Sequence, residues 1–414
     1  MTVNSPIFDR SYRKTGNLLR IAEGFSFLAL SGGIVSIALS HACMVVALVL
    51  LIVSRTMPRF PPIKTPVFVF LGLTVFSLLA SDMPWDGLPQ IKKFFVFSFL
   101  PISYWVFRHR GDAFRLLQAC FLLASVAASV SIVQFAVHWY VASAARVDFY
   151  QSYVGHRISG FFSHWMTFSE VGLLVFLAMA SYLLFSKHGK GKTRVFWIGC
   201  GILVGVSLLL SFTRSVWVAV LICSMYLIWH WKKKALLFVF IVVIIAVMFA
   251  PNTVLQRVSS INPTDNPARL LMWETGFNMI KAYPWLGVGP ERVGPLFEEF
   301  TVQPKDEWPD AYYGHLHNMY IHYAAERGLP AALVLIWFLI KVLIDCRRAL
   351  ASLPRVHDDD RCLLHAAEVV TLGVIVVGGF DLTLGDSEIL SFYLTVVGLG
   401  YGAIARITDR SIPT

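Results

Sequence analysis

Residues 195–229 read VFWIGCGILVGVSLLLSFTRSVWVAVLICSMYLIW. Two apolar runs, near 195–213 and 215–229, are parted by one cation, Arg214, in Ser211-Phe212-Thr213-Arg214-Ser215. A helix of about 17–25 predominantly apolar residues crosses the hydrocarbon core of a bilayer. Backbone in lipid must satisfy its own hydrogen bonds, which helices of this length do within themselves. The stretch therefore predicts two membrane helices joined by a turn that holds an arginine at the membrane edge.

Similar runs extend in both directions, near 18–37, 40–54, 66–81, 93–107, 114–141 and 166–186 before it, and near 235–250, 318–345, 362–381 and 389–406 after it. The expectation is an all-α polytopic membrane protein of about twelve transmembrane helices, a single transmembrane domain over 1–414. Composition agrees: 57% of the 414 residues are hydrophobic and 14% charged, where a soluble domain carries about 25% charged residues. The polar N-terminus, with Arg10, Arg13, Lys14 and Arg20, is followed by no convincing small-residue cleavage site, so an uncleaved first helix is expected.

A net charge of +10 raises the question of nucleic acid, but the distribution of the cations answers it. With the N-terminus inside, the inner segments take 24 of the 35 Lys and Arg residues, the outer segments 10, and Arg327 falls within a span. Each inner loop carries a basic cluster, which is the positive-inside pattern. Both termini are expected to be cytoplasmic, and nucleic acid is not expected as a partner. The six cysteines form no CxxC pair, and none lies in the long outer loop, so neither a disulfide framework nor a zinc site is expected.

That outer loop, residues 251–317, lies between the ninth and tenth spans. Loops of this length are usually functional or carry structure of their own. Asp265-Asn266-Pro267 reads as a helix start, after which Leu270, Trp273, Phe277 and Ile280 recur at helical spacing while Arg269, Glu274, Asn278 and Lys281 take other faces. An amphipathic helix at the outer interface is expected.

The polar residues on this side could do chemistry on an anion. Arginine binds phosphate with two parallel hydrogen bonds, and Arg214, Arg269 and Arg292 share the outer face. Taken alone, Arg214 could equally be a headgroup anchor. In Gly314-His315-Leu316-His317-Asn318-Met319-Tyr320, His317 opens the tenth span and is the candidate general base, although a histidine there can be only a helix cap. On a helix His315 and His317 do not face each other, so they are poor partners for one metal. A second outer segment, Arg157-Ile158-Ser159-Gly160-Phe161-Phe162 with His164 and Trp165, precedes the sixth span, and Glu170 lies one turn inside it. Asp358-Asp359-Asp360 reads as a solvated charge run on the inner side, and Gly287-Val288-Gly289-Pro290 as a turn rather than a phosphate loop.

These residues resemble the O-antigen ligase family, which shares a domain with O-antigen polymerases and bacterial O-oligosaccharyltransferases. His317-Asn318, nine residues, then Gly328 fit that family's His-Asn-x9-Gly-x-x-Gly pattern, with Ala331 in place of the second glycine. Arg269 with Trp273, then Pro284-Trp285-Leu286-Gly287-Val288-Gly289, is similar to its Arg-x3-Trp and Pro-x-x-Gly-x-Gly stretch. Thr213-Arg214-Ser215 looks like its periplasmic arginine, and 157–167 like the segment that opens the shared domain. The resemblance spans about residues 150–345.

The resemblance implies a GT-C-like enzyme of the bacterial inner membrane with a periplasmic active site. Its donor would be an undecaprenyl-pyrophosphate glycan, its acceptor lipid A-core, and its surroundings membrane lipid. It implies inverting transfer with His317 as base, Arg214 and Arg269 as charge stabilisers, and no metal or other cofactor. Arg157, His164, Arg292, His315, Asn318 and Tyr320 are expected to contact substrate. An O-antigen polymerase or a protein O-oligosaccharyltransferase is the alternative; an anion or lipid transporter, or a scaffold, fits less well, since transporters often show paired repeats and midplane charges.

Overall fold

A computed structural model describes residues 16–187, 191–237, 254–255, 267–353 and 358–411. Its elements are α1 (Gly16–Gly32), α2 (Ile37–Val53), α3 (Lys64–Ala80), α4 (Leu88–Lys92), a 3-10 turn (Lys93–Ser98), α5 (Phe99–Val106), α6 (Arg110–Ala145), α7 (Phe149–Gly155), α8 (Trp165–Phe185), α9 (Lys192–Leu210), α10 (Arg214–Trp231), α11 (Pro267–Ala282), α12 (Phe297–Phe300), α13 (Met319–Ala351), α14 (Asp359–Gly378) and α15 (Ser387–Ser411). Among the described residues the fold is all-helical apart from its connections. Seven helices are long and apolar enough to cross a membrane: α6, α8, α9, α10, α13, α14 and α15. Helices α2 and α3 are apolar but shorter, at 17 residues each. The chain is a polytopic membrane protein.

The expected run at 93–107 is not one helix. It is a 3-10 turn followed by the eight-residue α5. Pro101 lacks the N–H that would bond back to the Phe97 carbonyl, so the ladder cannot run straight through this point. The expected span at 235–250 lies outside the described residues beyond position 237.

Burial ranks the helices. The most apolar windows of α8, α14 and α15 are 72%, 78% and 83% buried, against 28% for α9 and 22% for α10. The first three form the centre, and the other two turn apolar faces outward, where lipid would cover them. Helices in a bilayer gain little hydrophobic drive from meeting and associate through close backbone approach at small residues. Gly373 of α14 is such a site: a Cβ there would stand 2.9 Å from the Leu177 side chain of α8. All six cysteines are buried and unpaired.

One expectation changes. Asp358-Asp359-Asp360 is a clamp, not a solvated run. Asp358 caps α14, Asp359 accepts from the Lys187 amide at 3.1 Å, and the fully buried Asp360 pairs with Arg406 and Arg410. Helix α11 forms from Pro267, but its inward face is Ala268, Leu271, Met272, Thr275, Gly276 and Met279, while Leu270 and Phe277 are 46% and 50% exposed. Small residues let α11 lie close on α13, while Leu270 and Phe277 face away. A Cβ on Gly276 would meet Leu316 at 2.6 Å and Ile321 at 2.7 Å.

Candidate active site at the start of α13

Helix α13 begins because Asn318 caps it. Its Oδ1 accepts from the Tyr320 and Ile321 amides at 3.0 Å each, which satisfies two N–H groups that have no partner inside the helix. Its Nδ2 donates to the Gly379 carbonyl at 3.1 Å, and the Tyr320 hydroxyl donates to Ile375 at 2.9 Å. Both residues, expected at the substrate, are tied to α14 and bring the end of that helix to the start of α13.

Just before the cap, His317 has φ +44, a left-handed backbone that side chains with a Cβ seldom adopt, histidine more readily than most. Its ring meets Asp381, with Nδ1 3.0 Å from Oδ1. Burial would raise the Asp381 carboxyl, but the hydrogen bond with His317 leads the effects that outweigh it and hold it below the usual carboxylate range. An ionised carboxylate only accepts, so Nδ1 carries a hydrogen, and in the neutral ring the lone pair is then on Nε2. That tautomer is a base.

His315 and His317 do face each other, with ring centroids 4.1 Å apart. The helical argument fails because both precede α13 and the left-handed His317 turns its ring back. Burial and the neighbouring His317 lower the His315 pKa to about 4, so His315 is neutral at physiological pH. One donor atom each from His315, His317 and Asp381 lie within 4.8 Å of one another, a spacing that could hold a metal ion.

Short contacts assemble the surroundings. Thr167 of α8 donates to Asp386 at 2.6 Å, and the hydroxyls of Ser169 and Thr213 are 3.0 Å apart. The start of α8, the α14–α15 connection and Arg214, the half-buried first residue of α10, thus share the His317 end of the bundle. Burial raises the Asp386 carboxyl, with Asp381 adding to the effect against the lowering by Thr167. His164 caps α8 through the Met166 amide at 3.2 Å and acts electrostatically on both His315 and Asp386. Arg157 stacks 3.7 Å above the Trp165 ring and donates from Nε to Val154.

The outer loop is joined to α13 at a kink. Gly328 has φ +85 inside the helix, and the ladder opens there. Val288 and Gly289 amides bond the freed Ala325 and Glu326 carbonyls at 2.9 Å each, and Leu329 returns a bond to Pro284 at 2.8 Å. Gly287 packs on Glu326 backbone and Gly328 on Trp285 backbone, with no room for a Cβ at either. The two glycine motifs are therefore the halves of one joint. Gly328→Val is expected to lose about 1–3 kcal/mol from the backbone alone, since φ +85 with ψ +163 is a region essentially reserved for glycine, with the clash adding more. A fall in the thermal midpoint of the detergent-solubilised protein checks this, and an unchanged midpoint would contradict it.

The loop's helix α11 carries Arg269. It lies seven residues before Gly276, about 10 Å along the helix axis, while Gly276 rests on Leu316, the neighbour of His317. Arg292 is different. Its guanidinium is forked onto Asp82, at 3.1 and 2.8 Å, and reaches Asp86 at 3.1 Å. It therefore ties the loop to the α3–α4 turn and is committed to that contact. Arg327, inside α13, is paired with Glu326 at 2.9 Å and bonded to Gln90 and Thr74, which offsets part of the cost of its burial.

Asp381 is the residue that sequence reasoning missed. It closes an apolar run, where a lone acid reads as a boundary. The available signal was that an ionisable side chain at a membrane edge is a functional candidate. No curated protein matches the chain. Residues 199–336, which hold Arg214, Arg269, His317 and the joint but neither 157–167 nor Asp381, match the family model described as O-antigen ligase, so the stretch from within α9 to the middle of α13 is similar to that family's domain.

Proposed function

We propose that the protein is an O-antigen ligase of the bacterial inner membrane. It transfers a glycan from undecaprenyl pyrophosphate to a sugar hydroxyl of lipid A-core, with inversion, on the periplasmic side. The observation that carries this reading is His317, inside the matched stretch, with Nδ1 held by Asp381. The arrangement of twelve spans with cytoplasmic termini goes with it, supported by the 24 of 35 cations on the inner segments.

The chain's own groups divide the work. His317 Nε2 takes the acceptor hydroxyl proton. The acceptor oxygen bonds to the anomeric carbon as the bond from that carbon to the pyrophosphate oxygen breaks, and the electron pair leaves with undecaprenyl pyrophosphate. Arg214 and Arg269 balance the charge on that leaving group, the kind of fixed electrostatic support that carries much of catalysis. The imidazolium returns its proton to water. Arg157, His164 and His315 border the same end and are placed to meet substrate.

Purified protein given the lipid-linked glycan and lipid A-core tests the reading. Glycan joined to lipid A-core supports it; extension of the glycan without that acceptor makes the protein a polymerase instead. Transfer is expected to proceed in EDTA, with arginines in the place of a metal. Activity lost in EDTA and restored by Mg²⁺ or Mn²⁺ would assign His315, His317 and Asp381 to an ion.

A further inference from the structure

A cavity of about 620 Å³ lies between the last turns of α13 and α15, within the range of about 300–1,000 Å³ that suits a small ligand. His317 precedes the first turn of α13 and Arg348 is in its last, so the cavity is at the end of that helix away from the candidate active site. Its charged lining is Lys341, Arg348 and Arg410 against a single acid, Asp345. That acid is already engaged, accepting from Lys341 Nζ at 2.8 Å and from the Tyr401 hydroxyl at 2.7 Å. The Arg410 side chain is 54% exposed and shares the buried Asp360 with Arg406, two guanidiniums on one carboxylate. Arg348 is exposed and has no ion pair or hydrogen bond among the described residues. The cavity is therefore short of negative charge.

The rest of its wall is largely apolar, with Leu353, Ile404 and Ile407 half-buried along it. Beside it α13 carries an apolar stripe that no other helix covers: Leu333, Trp337, Ile340 and Ile344 recur at helical spacing and are between 42% and 63% exposed. Arg348 comes four residues after Ile344 and continues that face. A soluble anion gains nothing from such a stripe. A lipid can lay its chains along it and bring its phosphate to the cation at the end, where arginine offers a pair of parallel donors. Basic pockets between membrane helices are suited to acidic headgroups for this reason.

We propose that this cavity binds the headgroup of an anionic phospholipid, in the leaflet opposite the candidate active site, with Arg348 as its main cation and Arg410 as the second. Native mass spectrometry of the delipidated full-length protein, given phosphatidylglycerol or phosphatidylcholine with the same acyl chains, decides it. Wild type is expected to retain phosphatidylglycerol in preference. Arg348→Gln is expected to weaken that retention about tenfold, the worth of one hydrogen bond to a charged group. Lys192→Gln removes the same charge from the exposed start of α9 and is expected to bind as wild type does. Equal retention of the two lipids by wild type, wild-type retention by Arg348→Gln, or an equal loss in both variants overturns the proposal. Displacement of the lipid by equimolar inorganic phosphate also overturns it, since the site would then be one for a free anion. The measurement contains neither glycan nor acceptor, so its outcome is separate from that of the transfer assay.

Discussion

His317→Ala is expected to cut glycan transfer by about 10²–10⁴-fold, the usual contribution of a positioned general base, while the donor lipid still binds. Because alanine at φ +44 adds backbone strain of its own, His317→Asn is the cleaner test. Asparagine accepts the left-handed region but offers no base, so it should be equally slow yet as stable as wild type. Asp381→Asn should fall in the same range, and the double variant with His317→Ala should be no slower than His317→Ala alone, since the pair acts as a unit. His315→Ala should be milder, because that ring is neutral and touches His317 through its face and edge rather than through a hydrogen bond. Single-turnover transfer rates beside donor-lipid binding make the comparison. Wild-type transfer by His317→Asn would reduce the histidine to a ring beside a helix cap, and His164 or His315 would become the base to test.

The second large effect belongs to the arginines. Arg214→Ala and Arg269→Ala are each expected to slow transfer by about 10²–10³-fold, the cost of removing one charge-stabilising donor, and, unlike His317→Ala, to weaken donor binding as well. Arg292→Ala should act elsewhere. Its guanidinium is bonded to Asp82 and Asp86, so its loss should appear as a lower thermal midpoint rather than a lower rate per folded molecule. Equal losses of donor affinity at Arg292 and Arg214 would contradict that division.

The membrane helices were readable because a span needs length and apolarity, both written locally in the chain. The break at 93–107 was not, since a 3-10 turn among phenylalanines has the same hydropathy as a helix. His317, Arg214 and Arg269 stood out as polar residues next to apolar runs. What could not be read was pairing at a distance. Asp381 is 64 residues from the histidine that it holds, and Arg292 is about 200 residues from its acids, at separations of 210 and 206. Helix α11 was legible as a helix from its start at Asn266-Pro267, but the close approach of Gly276 to Leu316 and Ile321 was not.

The joint at Gly287 and Gly328 bears on how such proteins can be recombined. An outer segment that merely decorated a membrane bundle could be exchanged between relatives to change which sugars are accepted. Here the Val288 and Gly289 amides complete the hydrogen bonding of α13 itself, so neither partner has a finished backbone without the other. A chimera that transplants 251–317 into a host whose tenth helix runs straight would leave the Val288 and Gly289 amides and the Pro284 carbonyl without the partners they have here. Specificity swaps in this architecture should therefore carry the loop together with the first ten residues of the helix that follows it.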